Sequence, residues 1–349
     1  MIDISQAQLT RFAAAWVGAK HAGEGLSLPR QTLLPLNDVA GEWLLNALLK
    51  PFEKNEEYFY FHDDEDLSLH PVYQRAMEIF SQPEQLGEQA RLLAERLYDC
   101  CEFPKIRGGE FFVAYFENIL FMGDPVSAIG LWKVQTRQPF IQTARSAESF
   151  QVLMHEGVSD ARTENIALIL NTEESEGYRV AAIDTISKKD ERSFWKDAFL
   201  GVRPIEDNYF LTRHYMALSG EFIAHKYPSQ FGADRAETAT LLNQSGEYFK
   251  ENDRFEVEDF AAKMFEQEEA REAFVAYRDQ YAQAFALPLE DRFDISRQAV
   301  RKEGKIFKSV IKLDKNFHIY VHGRRDLIER GYDEEKGKKY YKVFFESEE

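Results

Sequence analysis

Cysteine is scarce in this 349-residue chain: there are two, Cys100 and Cys101, and they are neighbours. A bridge between adjacent residues is strained, and no third thiol offers a partner. A reducing compartment, the cytoplasm, is therefore the expected setting. A CxxC redox pair and a cysteine zinc site are both excluded. Long apolar runs are lacking too. No stretch approaches the ~20 residues of a membrane span. The run nearest the start, Phe12 to Ala19, has no basic region before it, which argues against a secretory signal. No repeat with a period of roughly 20–50 residues recurs, and no low-complexity linker interrupts the chain. Gly-x-Ser-x-Gly, His-Glu-x-x-His and Rossmann fingerprints are missing, so no catalytic residue, metal or cofactor is expected.

What is present supports a folded protein. Apolar residues make up 44% and charged residues 30%, a balance that excludes a wholly disordered chain. At roughly 100–200 residues per domain, the length allows two or three domains. The 28 Phe and 16 Tyr must be buried or must line binding surfaces. Positive charge is outnumbered, and the net charge is −17. It is also unevenly spread: residues 297–349 sum to +4, so residues 1–296 carry −21. Within 297–325, nine basic residues face Glu303 and Asp314 alone. The chain is an acidic body with one basic segment.

Helical spacing of apolar residues predicts helices over Asp38–Leu49, ended by Pro51, and over Pro71–Phe80 and Glu84–Tyr98. Residues 1–50 otherwise read as mixed. After Pro104 the pattern changes. Glu110–Phe121 and Val126–Thr136 read as a hairpin about Gly123-Asp124-Pro125. Short strands follow at Phe140–Thr143, Phe150–Met154, Ile166–Leu170 and Tyr178–Asp184. No crossover-length helix lies between them, which favours an antiparallel sheet. Beyond the polar Ser187–Glu191, helices are expected at Ser193–Leu200, Asn208–Lys226, Ala233–Glu251, Val257–Phe265 and Glu268–Phe285, before a return to strands. The expected fold class is α+β. Residues 1–190 form a domain with an antiparallel sheet and helices. Residues 191–349 form a mainly helical domain ending in a small basic β-hairpin subdomain at about 294–345.

The basic segment is the most informative piece. Lys305 to Gly323 reads as two strands joined at Asp314-Lys315-Asn316. Period-two alternation gives one face to Phe307, Ile311 and Leu313, shared with Phe317, Ile319 and Val321. The other face takes Lys308 and Lys312 beside His318, Tyr320 and His322. A short helix at Ser296–Lys302, capped by Asp294 or Ser296, adds Arg297, Arg301 and Lys302. With Lys305, Lys315, Arg324 and Arg325, these make the candidate DNA-binding set. A cationic, aromatic ribbon suits phosphates and bases, and a ribbon with an adjacent helix fits a DNA groove. The alternative for the same lysines is the solvated, edge-protecting face of an ordinary small sheet.

Other constellations are weaker. Lys105-Ile106-Arg107-Gly108-Gly109 could approach an anion, but helix precedes strand and no Gly-Lys-Ser/Thr follows, so a tight turn is expected. His62 to Asp66 with His70 lacks the spacing and glycine of an EF-hand and reads as a solvated acidic loop. Glu173 and Asp184 with Lys188 or Lys189 loosely suggest a metal-dependent nuclease. Ser219-Gly220 and Ser245-Gly246 sit in helical pattern, without the context of a nucleophile.

Four stretches, taken in order, resemble the NdpA-type (YejK) nucleoid-associated proteins of bacteria. They are Pro104 to Phe116, Ile166–Thr172 leading into Gly177-Tyr178, Leu241-Leu242-Asn243 with Phe249 to Asp253, and Phe307 to Ile319. The likeness runs nearly end to end and looks closest to the version in Bacteroidetes-like bacteria. The resemblance implies a cytoplasmic, non-enzymatic protein of the nucleoid that binds double-stranded DNA and contacts type II topoisomerases. It supplies no catalytic residue and no cofactor, and no membrane partner is expected. Duplex DNA repels a body of charge −21, so binding is expected at the basic segment, helped by a homodimer that brings two such segments together. The alternative is an acidic interaction protein that docks on a DNA-processing enzyme such as a type II topoisomerase.

Overall fold

A computed structural model describes residues 2–28, 34–55, 57–102, 105–145, 149–160, 164–187, 193–285, 287–307, 310–313, 317–320 and 328–345, with 310–313, 317–320, 328 and 330 described by backbone alone. The chain divides into two compact units, Met1–Ile205 and Glu206–Glu349.

The first unit runs β1 (Ile2–Asp3), β2 (Gln8–Val17), β3 (Leu26–Ser27), α1 (Asp38–Leu49), β4 (Phe59–Phe61), α2 (Pro71–Ser81), α3 (Leu86–Cys100), β5 (Gly109–Phe121), β6 (Asp124–Val134), β7 (Gln138–Arg145), β8 (Phe150–Gly157), β9 (Asn165–Leu170), β10 (Arg179–Asp184) and β11 (Val202–Pro204). Its main sheet has the order β11-β4-β10-β9-β6-β5-β2-β3, with β1 beside β5. Every pairing in it is antiparallel, as the short connections predicted. The expected hairpin is β5–β6, closed where Phe121 pairs with Asp124 and Gly123 turns at φ +97°.

Both faces of this sheet are covered. Ala167 and Ile169 of β9 join a core built with α2 and α3. Ile166, Leu168 and Leu170 join a second core under α1. Period-two alternation therefore buries every residue of β9, which explains its unbroken apolar sequence. Strand β2 is the longest of several strands that the sequence pattern does not announce. Its Ala13-Ala14-Ala15 favours helix in isolation, and pairing with Val113, Phe112 and Phe111 of β5 overrides that preference.

The first unit extends past the expected cut at 190. A π-helical turn, Phe194–Leu200, buries Phe194, Trp195, Phe199 and Leu200 in the core shared with α2 and α3. Trp195 Nε1 donates to the Ile166 carbonyl at 3.1 Å, pinning the turn to β9.

The second unit contains α4 (Asn208–Glu221), a π-wound continuation Phe222–Lys226, α5 (Tyr227–Phe231), α6 (Arg235–Glu251), β12 (Arg254–Glu256), α7 (Val257–Met264), α8 (Glu268–Ala284), β13 (Arg292–Asp294), α9 (Arg297–Glu303) and the strands β14 (Val310–Leu313), β15 (Phe317–Tyr320), β16 (Ile328–Asp333) and β17 (Lys338–Val343). Asp207 and Asp234 cap α4 and α6, each accepting two backbone N–H groups. The core is aromatic: Phe222, Phe249, Phe255, Phe260, Phe265, Phe274 and Phe293 pack with Tyr215 and Tyr248. Each such side chain contributes about 1.5–3 kcal/mol on burial, so much of the phenylalanine content is accounted for here.

Two ionisable residues next to β6 and β9, Lys133 and Glu164, are buried. Lys133 of β6 is fully buried, and its Nζ donates to the Val17 carbonyl at 2.9 Å. Burial pushes its pKa down to about 8, against the opposing pull of Cys101, Glu110, Glu24 and Glu164. Burial also pushes the Cys101 thiol up to about 11. Between pH 8 and 10.5 the unfolded chain holds a lysine proton that the folded chain has released, so the penalty at this position is full below pH 8 and fades as pH rises. Relative to Lys133→Met, the wild type should gain about 3 kcal/mol of stability across that window, measured by urea unfolding at each pH. A difference that does not vary with pH would show that the ammonium is solvated.

Candidate nucleic-acid interface

The basic segment begins where β12 and β13 pair Arg254 with Asp294, whose side chains form an ion pair at 3.2 Å. Asp294 is thus engaged, and Ser296 caps α9, its Oγ accepting the Ala299 N–H at 3.3 Å. Helix α9 buries Ala299 and Val300 and passes into a 3-10 turn, Gly304–Phe307. This corrects one expectation: residues 305–307 are not strand, and β14 begins at Val310. Phe307 therefore does not share the apolar face of the ribbon. It is buried in the second unit, stacked on Phe249 at 5.8 Å and 17°.

The two Ser-Gly pairs explain how it fits. A Cβ on Gly220 of α4 would lie 2.4 Å from Ile306 Cγ2, and one on Gly246 of α6 would lie 3.1 Å from Phe307 Cβ. Each glycine leaves a notch in its helix, and consecutive residues of the 3-10 turn fill them. What looked like misplaced nucleophile motifs is a socket.

The expected cations divide by environment. Arg297 is held by the Asp253 carboxylate and the Lys250 carbonyl. Lys302 lies over the Tyr209 ring, 5.6 Å from its centroid. Arg301 and Lys305 are exposed, stand four residues apart on one side of the continuous α9 and 3-10 stretch, and have no ion pair among the described residues. In the ribbon, Lys312 pairs with His318 and Val310 with Tyr320, while Ile311 pairs with Ile319 and Leu313 with Phe317. Antiparallel partners share a face. The register therefore groups Lys312, His318 and Tyr320 with Val310, and Ile311 and Ile319 with Leu313 and Phe317. Lys308, Lys315, His322, Arg324 and Arg325 lie outside the described residues.

A second ribbon, β16–β17, was visible in the sequence only as a general return to strands. Its signal is the turn Glu334-Glu335-Lys336-Gly337, with Gly337 at φ +60°. Lys342 meets Glu329 and Lys336 meets Asp333, both at 3.6 Å. Lys338 and Lys339 are exposed and without an ion pair among the described residues, and neither belongs to the set chosen from sequence.

The competing constellations have local explanations. A Cβ on Gly108 would lie 2.1 Å from Glu24 Oε2, so an acid occupies the place an anion would need. His70 is buried, and its Nδ1 accepts the Tyr73 N–H at 3.1 Å as the cap of α2. Burial holds its pKa below the ordinary value. Asp64 meets Arg203 and His62, and Asp66 accepts the Ser68 N–H. Glu173 makes a bidentate pair with Arg179 at one end of β10, both bonds 2.9 Å. Asp184, at the other end, accepts from Asn165, Ile186, Ser187 and Ser193. The suggested nuclease acids are not brought together, and Lys188 and Lys189 lie outside the described residues. Among the described residues, no group of three or more His, Cys, Asp or Glu is arranged to hold a metal, and no helix is long and apolar enough to cross a membrane.

An acidic α+β body that carries a basic, ribbon-forming carboxyl-terminal segment fits the class of nucleoid-associated proteins. The family model described as nucleoid-associated protein YejK matches residues 17–338, and the chain belongs to that family. Membership brings with it a place at the bacterial nucleoid, in the cytoplasm. No curated protein matches the chain.

The socket is testable by itself. Gly246→Val forces methyl groups into the space of Phe307 and should destabilise the protein by about 1–3 kcal/mol in urea unfolding. Gly41→Ala, at a helix position with nothing within 4 Å of the new Cβ, should stabilise by about 0.5–1 kcal/mol. Equal effects at the two sites would mean that Gly246 is not a packing notch.

Proposed function

We propose that the protein is a non-enzymatic binder of double-stranded DNA that contacts the phosphate backbone through its carboxyl-terminal basic segment. The observation that carries this reading is the pair Arg301 and Lys305, exposed and without an ion pair among the described residues, leading into a ribbon whose register groups Lys312 with His318 and Tyr320. Phosphate contacts fix position and carry no sequence information directly. Lys308, Lys315, His322, Arg324 and Arg325 belong to the same proposed surface. Exposed Lys338 and Lys339 add to it. Arg297 contributes by holding α9 in place, since its guanidinium is already engaged.

A second reading comes from the −21 carried by residues 1–296. Such a surface suits docking on the basic face of a DNA-processing enzyme, a type II topoisomerase being the kind of partner expected. A pulldown that survives nuclease treatment supports this reading, and loss of every partner with the DNA counts against it.

The DNA reading predicts a steep salt dependence, with log K falling by about 0.9 per log unit of salt for each phosphate neutralised. Converting Arg301, Lys305, Lys308 and Lys312 together to alanine should flatten that slope by about three to four. Arg91→Ala, on α3 of the first unit, should leave it unchanged. Salt-titrated fluorescence anisotropy on duplex DNA reads both. An unaltered slope in the fourfold variant removes the assignment.

A further inference from the structure

Strands β7 and β8 pair with each other and with no other strand among the described residues. A lone two-stranded hairpin is marginally stable in water, and this one is rich in uncovered apolar side chains. The register gives one face to Pro139, Ile141, Thr143 and Arg145 of β7 with Glu156, Met154, Val152 and Phe150 of β8. On that face Ile141, Phe150, Val152 and Met154 are 60%, 66%, 59% and 68% exposed. The other face is mixed, with Gln142 and Gln151 beside Phe140 stacked on His155. A contiguous apolar stripe of this kind marks an interaction surface.

Charge indicates the occupant. Residues 138–145 and 150–157 carry only two formal charges, Arg145 and Glu156, in a chain of net −17. Two copies of such a polyanion repel each other over most approaches. The arm is a neutral strip where they can touch. Its two charges also stand at opposite ends of the apolar face: Glu156 is paired with Pro139 at the base, and Arg145 with Phe150 toward the tip.

We propose that the β7–β8 arm is a self-association surface, on which the arm of a second copy of this chain lies face to face and antiparallel. A two-fold rotation then brings the Arg145 end of each arm onto the Glu156 end of the other, with Arg145 over the partner's Pro139 and one strand across from the partner's Glu156, and sets Ile141 and Met154 over the partner's Thr143 and the partner's Val152. The surface is complementary to itself, which a closed two-fold dimer requires. Eight half-exposed side chains offer roughly 600 Å² per copy, about 1,200 Å² in all, which reaches the range of a specific interface.

Sedimentation equilibrium on the full chain without DNA tests this independently of the DNA-binding reading. The wild type should sediment as a dimer at micromolar concentration. Val152→Asp with Met154→Asp should give a monomer with an unchanged circular dichroism spectrum, because the arm lies outside the cores, and with a melting temperature that no longer rises with protein concentration. Arg145→Glu and Glu156→Arg should each weaken the dimer by about tenfold or more, and the two together should restore it. A monomeric wild type, or a dimer indifferent to the apolar substitutions, overturns the proposal. Failure of the double reversal to recover association overturns the antiparallel arrangement.

Discussion

Phe307, seated against Phe249 in the notch left by Gly246, fixes the place where the carboxyl-terminal segment leaves the helical unit. The basic ribbon that follows has few residues with which to build a core of its own. Strands β14 and β15 are four residues each, too short to be stable alone. Their order depends on Ile306 and Phe307, and on Arg297, which ties α9 to the end of α6 through the Lys250 carbonyl and Asp253. Small residues in two helices and one aromatic plug thus decide where the positive charge is presented.

That placement matters because the rest of the chain has the opposite sign. At physiological ionic strength, exposed charges more than about 8 Å apart are largely screened from one another. Positive charge concentrated in one segment of the chain can therefore attract a phosphate backbone, although the whole protein carries −17. If the same nine cations of residues 297–325 were scattered through the acidic body, each would be offset by a neighbour. Arg297, Arg254 and Arg179 already show that fate, each paired with a carboxylate.

Much of the fold could be read from the sequence because its local signals agree. Helices α1 and α2 and the β5–β6 hairpin have the right period and the right boundary residues, and they lie close to where those signals put them. Strand β2 was not legible, because an alanine run acquires strand character only from its partner β5. The 3-10 turn at Gly304–Phe307 was missed because Phe307 satisfies period-two alternation equally well, while its true partner lies 58 positions earlier in the sequence, at Phe249. Charge counting found the basic segment but could not separate engaged from exposed cations. That distinction depends on Asp253 and Tyr209, both remote in sequence.

Cys100 and Cys101 are unbridged and buried at the end of α3, the Cys100 thiol donating to the Ala198 carbonyl at 3.3 Å. Burial keeps Cys101 protonated at ordinary pH, and the thiolate is the reactive form. An alkylating reagent therefore cannot modify Cys101 until the sheet and helix separate. The rate of its modification is a built-in clock for opening of the first unit, and the second unit, which has no cysteine, is silent to it.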